Sequence, residues 1–224
     1  MTGKIYAIAG LLCGILAMAS LPAAADTLKD TAGHDSGWSL TLAGSATAYN
    51  VDDVILAPDH RNSMLLISVF KDFGPPDDGD FTPALMTFTQ GEVDANVAGK
   101  IAILYETIHN NTGQDWSAFR WAIFETGVAQ FSISDSNLWG TSPLGTQTWQ
   151  GVTGDLAQAL LASGGTVGAG DTYRPSGHLV IHADVDSIPG DSAQFTMKEI
   201  VPEPATLAAL SLGAAALLRR RRRV

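Results

Sequence analysis

Residues 100–125 read KIAILYETIHNNTGQDWSAFRWAIFE. From Lys100 to His109 the chain alternates, placing Ile101, Ile103, Tyr105 and Thr107 on one face. A period of two is the mark of a half-buried strand. From Trp116 to Glu125 the same period sets Trp116, Ala118, Arg120, Ala122 and Phe124 against Phe119, Trp121 and Ile123. Between the two runs, Asn110, Asn111 and Gly113 tolerate left-handed backbone angles, and Asp115 can bond its own turn. The segment therefore predicts a hairpin, with Trp116 and Phe119 on opposite faces of its second strand.

The pattern continues on both sides. Trp38, Leu40 and Leu42 alternate with Ser39 and Thr41, and Leu85, Thr87 and Thr89 alternate with Met86, Phe88 and Gln90. Runs at 53–57 and 63–70 flank a turn at Pro58–Asn62. Further strands are expected at 178–185 and 193–198. One helix is expected over Asp155–Ala162, with Asp155 as N-cap, Leu156, Leu160 and Leu161 as its apolar stripe, and Gly164-Gly165 as its stop. Many short strands separated by turn residues predict an all-β fold, an antiparallel β-sandwich of jelly-roll-like type with this one short helix.

The two ends have a different character. Lys4 precedes an apolar run from Ile5 to Leu21, and Pro22-Ala23-Ala24-Ala25 follows. Ala23 and Ala25 form an A-x-A site, so residues 1–25 read as a secretory signal peptide cut after Ala25. The sole cysteine, Cys13, lies within it. The mature chain would therefore have neither disulfide nor thiol chemistry. A lipidated Cys13 is the alternative, opposed by the long apolar run beyond it. At the other end, residues 201–224 read VPEPATLAALSLGAAALLRRRRRV. Pro202 and Pro204 flank Glu203 and forbid regular helix or central strand there. Residues 205–218 then form an apolar, helix-favouring run of about 21 Å, shorter than the ~30 Å hydrocarbon core. Arg219, Arg220, Arg221, Arg222 and Arg223 supply a positive stop that would hold this end in the cytoplasm.

This tail resembles the PEP-CTERM sorting signal of exported bacterial proteins: Val201-Pro202-Glu203-Pro204-Ala205-Thr206, a short span, then an arginine cluster. The resemblance implies an exosortase-like membrane enzyme as partner, removal of the tail, and an outer-membrane bacterium that makes exopolysaccharide. It also implies a body held transiently at the inner membrane on the periplasmic side, then passed to the cell surface or extracellular matrix. A second resemblance to exported proteins of this kind rests on Asn111, Thr112, Gly113, Asp115, Trp116 and Phe119, and is structural.

The body, residues 26–200, is long enough for one domain with a sizeable core. Once Lys4 and the five tail arginines are set aside it holds seven basic residues. Without Glu203 it holds 22 acidic ones, giving a net charge of −15. Such a body repels nucleic acid. Asp77, Asp78 and Asp80 crowd one loop and could offer oxygens to Ca²⁺, although the alternating calcium-loop pattern is absent. On the strand from His178, period two places His178, Val180, His182, Asp184 and Asp186 on one face and Leu179, Ile181, Ala183 and Val185 on the core face. His182 and Asp184 are metal-competent types, but ~7 Å separates residues two apart on a strand. Asp35-Ser36-Gly37 echoes an aspartic-protease tripeptide without a second copy. Trp139 and Trp149 are the tryptophans expected to be exposed, as sugar-stacking candidates.

No catalytic constellation is legible in sequence order. The expectation is a non-catalytic binding or structural protein of the cell envelope or matrix, associated with exopolysaccharide. The alternatives are a secreted hydrolase whose acidic pair is assembled in space and a calcium-stabilised adhesion module.

Overall fold

The computed structural model describes residues 27–75, 81–91, 97–124, 127–139, 143–184 and 193–201. The expected signal peptide with Ala23 and Ala25, the loop acids Asp77, Asp78 and Asp80, and the tail from Pro202 to Val224 lie outside these residues. In chain order the strands are β1 (Trp38–Gly44), β2 (Ala46–Ile55), β3 (Met64–Phe73), β4 (Ala84–Gln90), β5 (Lys100–Asn110), β6 (Trp116–Ile123) and β7 (Ala129–Ser132). Then follow β8 (Asn137–Trp139), β9 (Thr146–Gln150), β10 (Leu156–Ala157), β11 (Ala159–Val167), β12 (Thr172–Tyr173), β13 (Ser176–Ala183) and β14 (Gln194–Ile200).

They form two facing sheets, the expected β-sandwich. The first runs β1-β4-β14-β6-β11-β9; the second runs β10-β7-β13-β5-β3-β2, with β12 also on β5 and β8 also on β13. Pairing is antiparallel except between β3 and β5, which run parallel. The chain leaves β3 for β4 in the opposite sheet and then returns to β5, and two crossings restore its direction. Alternation buries Leu65, Ile67, Val69, Lys71 and Phe73 of β3, and Phe195, Met197 and Glu199 of β14. The aromatic centre is Phe119, whose ring centroid lies 4.9 Å from Trp121, 5.7 Å from Phe73, 5.9 Å from Tyr173 and 6.1 Å from Trp116.

Four expectations need correction. First, residues 155–162 are not a helix: they supply β10 and the start of β11. β11 is hydrogen-bonded on both edges, to β6 and β9. The leucine spacing fits a helix, but a ladder on either side outweighs a few tenths of a kcal/mol of local propensity per residue. Asp155 caps no helix; its carboxylate accepts from Ser134 N at 3.0 Å. Gly164-Gly165 is a close-approach point, because a Cβ on Gly165 would stand 1.6 Å from the Pro143 carbonyl oxygen. Helix among the described residues is one 3-10 turn, His60–Asn62, with Asp59 accepting from Arg61 N at 3.1 Å.

Second, Trp116 and Phe119 both enter the core, each packing edge-on against Phe73. The β6–β11 ladder is irregular between Ser163 and Val167, opposite Ala118 and Trp116, so regular pairing lapses in the stretch of β6 that precedes Phe119. Third, Tyr105 does not share a face with Ile101 and Ile103; it is 68% exposed. Fourth, Trp149 is half-buried rather than exposed, its ring 6.2 Å from that of Phe131. The side chain of Trp139 lies outside the described set.

Candidate functional site

Two constellations of charged side chains are assembled by the sheets. The first lies between them. Lys71 Nζ donates to Glu106 Oε1 at 2.7 Å and to Glu199 Oε1 at 2.5 Å. Trp121 Nε1 donates to the other Glu106 oxygen at 2.9 Å. Lys71 and Glu199 are fully buried and Glu106 nearly so. The cluster bridges the sandwich, since Lys71 and Glu106 belong to one sheet and Glu199 and Trp121 to the other.

Lys71 and Glu199 reach the interior by plain alternation on β3 and β14. Glu106 reaches it through a bulge. Ile67 pairs with Ile103, but the next residue, Ser68, pairs with Tyr105, so Leu104 is an extra residue on β5. One inserted residue reverses the facing of all that follow. Ile101 and Ile103 point inward before it, and Glu106, Ile108 and Asn110 after it.

Electrostatics pulls two of these groups away from their ordinary pKa values. Burial pushes the Lys71 ammonium down, but the charges of Glu106 and Glu199 outweigh that, and its pKa is raised. Burial, then the negative charge of Glu106, drives the Glu199 carboxyl well above the usual range against the opposing pull of Lys71. A buried net charge is costly. Glu199 is the carboxyl driven towards the protonated form, and a neutral arrangement of ammonium, carboxylate and carboxylic acid is the least costly one for such a buried triad. Glu199 Oε2 has no hydrogen-bond partner among the described residues.

The second constellation is at the surface. Asp135 Oδ2 accepts from His182 Nε2 at 2.7 Å and from Lys100 Nζ at 2.8 Å. His178 Nε2 lies 2.9 Å from the Asp135 carbonyl oxygen. The bonds from Lys100 and then His182 hold the Asp135 carboxyl below its ordinary pKa. Beside it opens a cleft of about 610 Å³, lined by Arg61, Lys100, Gln130, His182 and Asp184 among others.

The expected facing of β13 holds for Leu179, Ile181 and Ala183 inward and His182 outward, whereas Val180, expected on the outward face, is buried. His182 is taken up by Asp135, and no three His, Cys, Asp or Glu side chains among the described residues stand close enough to share a metal. Asp35 serves its own turn, accepting from Gly37 N at 2.8 Å and Thr27 Oγ1 at 2.6 Å. Sequence reading missed Lys71, Glu106, Glu199 and Asp135. For the first three a signal was present: each shares the parity of buried apolar neighbours on its strand. Asp135 carried none, because its partners are Lys100 and His182, far away in the chain.

The family model for the PEP-CTERM protein-sorting motif matches residues 201–223. The chain thus carries the sorting signal of an exported protein handled by exosortase, a membrane enzyme. No curated protein and no solved structure matches the chain. The match begins where the body ends: β14 closes at Ile200, and Val201 is itself buried.

Proposed function

We propose that this chain is a non-catalytic binding or structural module of the cell envelope or extracellular matrix. It is delivered there by exosortase-type processing at Pro202-Glu203-Pro204. The observation that carries the reading is the junction at Val201. β14 lies between β4 and β6 inside the six-stranded sheet, so the body completes its strands by Ile200 and its core with Val201, before Pro202-Glu203-Pro204. Removal of the tail leaves that core intact. The non-catalytic part is supported by the fate of the two carboxylates brought together in space. Glu106 and Glu199 are sealed from solvent around Lys71, and the cavity beside Glu106 and Trp121 measures about 10 Å³, too small for any saccharide.

Mass spectrometry of the protein from its native host tests the sorting step. The wild type is expected to lack Arg219–Arg223, and Glu203→Ala to keep them while the body stays folded. Retention of the tail to Val224 in both proteins would reduce the motif to a membrane anchor. The finer reading is association with exopolysaccharide through the cleft. Its support is the size of the cleft and its mixed polar lining of Arg61, Lys100, Gln130, His182 and Asp184. Retardation of the wild type in gels containing the host's exopolysaccharide, lost in Gln130→Ala, is expected; equal mobility of the two proteins refutes it.

A further inference from the structure

We propose that Lys71 and Glu199 become joined by an amide bond across the sandwich after folding, with Glu106 relaying the protons.

The geometry is that of two reactants already in contact. Nζ of Lys71 is 2.5 Å from Oε1 of Glu199. The carboxyl carbon is one C–O bond, about 1.23 Å, further on, so Nζ lies within about 3.7 Å of Cδ. A productive approach needs about 3–3.5 Å. Holding amine and acid together in this way removes the entropic barrier that makes the same condensation negligible between free molecules.

The protonation states also suit the reaction. A carboxylate resists attack by an amine, whereas a carboxylic acid accepts it, and burial together with the Glu106 charge shifts Glu199 towards the acid form. Glu106 is positioned as the base. Its Oε1 is 2.7 Å from Nζ, while Trp121 Nε1 fixes Oε2 at 2.9 Å. Proton transfer from Lys71 to Glu106 is uphill, because the ammonium is stabilised here. The reaction is therefore slow, but it is needed only once per chain.

The steps balance. The Lys71 ammonium gives a proton to the Glu106 carboxylate. The freed amine lone pair attacks Cδ of the protonated Glu199, forming the C–N bond and a tetrahedral centre. Glu106 returns its proton to a hydroxyl of that centre, the C–O bond breaks, and water leaves. Glu106 then takes the surplus proton from nitrogen. Ammonium, carboxylate and carboxylic acid thus become an amide, one water and a neutral Glu106 acid. The linked state holds no buried charge. Among the described residues Glu199 Oε2, the departing oxygen, has no hydrogen-bond partner. The cavity beside Glu106 is at the lower limit for one water molecule.

The bond would tie β3 of one sheet to β14 of the other. Cys13 is the sole cysteine of the chain and precedes the expected signal cut, so no disulfide is available for that purpose. Glu199 stands two residues before the start of the sorting motif. Tension from a membrane-held tail therefore falls on β14, the strand the link secures.

The test is the mass of the full chain as exported by its host and purified folded. The expected mass is lower, by one water molecule, than the sequence gives for the same termini. Trypsin should fail to cut after Lys71, and fragmentation should show a branched peptide joining Lys71 to Glu199. Folded Glu106→Gln protein should show the unshifted mass. The proposal is overturned by folded wild-type protein of full mass with a free Lys71 peptide, by a branch through Glu106, or by water loss mapped to another residue. If Glu106→Gln does not fold, Trp121→Phe replaces it. That variant keeps the carboxylate but releases its anchor, so linkage should form more slowly after refolding; an unchanged rate overturns the relay.

Discussion

Asn110 offers the sharpest test of how the end of the sandwich is held. It closes β5 with 0% exposure. Its Nδ2 donates towards the carbonyl oxygens of Gln114 at 2.8 Å, Gly168 at 2.9 Å and Val167 at 3.2 Å. Its Oδ1 accepts from Thr112 Oγ1 at 2.6 Å and Thr112 N at 3.2 Å. Thr112 Oγ1 in turn accepts from Trp116 Nε1 at 3.2 Å. One amide thus fixes the β5–β6 turn, the end of β11 and the indole of the buried Trp116. An amide has two N–H groups and two lone pairs, so Asn110→Ala deletes about four bonds. At about 1 kcal/mol net each, and with some partners regaining water at the loop, we expect a loss of about 3–4 kcal/mol. For a domain of this size, about 2–4 °C per kcal/mol gives a fall in Tm of about 6–16 °C.

The isosteric variant separates packing from donation. Asn110→Asp keeps the shape and the acceptor but turns an anion towards three carbonyl oxygens. Its loss at neutral pH should be at least that of Asn110→Ala. The introduced carboxyl has a folded-state pKa above its unfolded value of about 3.9. The native state then binds more protons, and the variant regains stability as pH falls. Thermal melts monitored by circular dichroism at several pH values read both effects. A shift below about 2 °C for Asn110→Ala, or an Asn110→Asp protein as stable as wild type at neutral pH, would show that the backbone alone holds the turn.

Two further predictions concern the corrected β11 and the surface cluster. Gly165→Ala places a methyl group 1.6 Å from the Pro143 carbonyl oxygen, so it should cost about 1–3 kcal/mol or more by overpacking. Gly127→Ala, with open space around it, should shift the urea midpoint far less, and equal midpoints would contradict the close approach. Asp135 has a folded pKa below its ordinary value of 3.8 because of Lys100 and then His182. Its contribution is therefore present above that value and fades as pH falls through the lowered one. Asp135→Asn should flatten the acid limb of the stability–pH curve, and parallel curves for the two proteins would dismiss the cluster as a stabilising feature.

The strands that sequence reading located best are those whose alternation is unbroken. β4 was expected at 84–90 and occurs there, with Met86 and Phe88 in the core. Reading failed where a ladder changes phase or where two neighbours decide the conformation. In residues 155–162, three leucines at helical spacing outweighed, on paper, two strand partners that local sequence cannot reveal. Trp116 and Phe119 are both buried, next to a stretch where the β6–β11 ladder is irregular, and strict alternation could not show either fact. The parallel β3–β5 pair was equally hidden, because it depends on the chain visiting the other sheet in between.

The buried cluster was half legible, and the physical reason leads back to its chemistry. Lys71 has the parity of Leu65, Ile67, Val69 and Phe73, and Glu199 that of Phe195 and Met197. On β5 the inward parity is odd at Ile101 and Ile103 and even at Ile108, so a phase change between them was readable, and it delivers Glu106 to the same side as Ile108. Three charged residues written in core parity on three strands are expensive as ions, at several kcal/mol of desolvation each. Apolar residues of similar volume at such positions are often neutral or stabilising. An ion cluster is thus a poor way to strengthen this core, whereas an amide that consumes the ammonium and leaves a neutral acid removes that cost and fastens the two sheets together. The strand it fastens is the one that passes directly into the sorting segment, so the charges lie where a covalent staple would bear the load of a membrane-held tail.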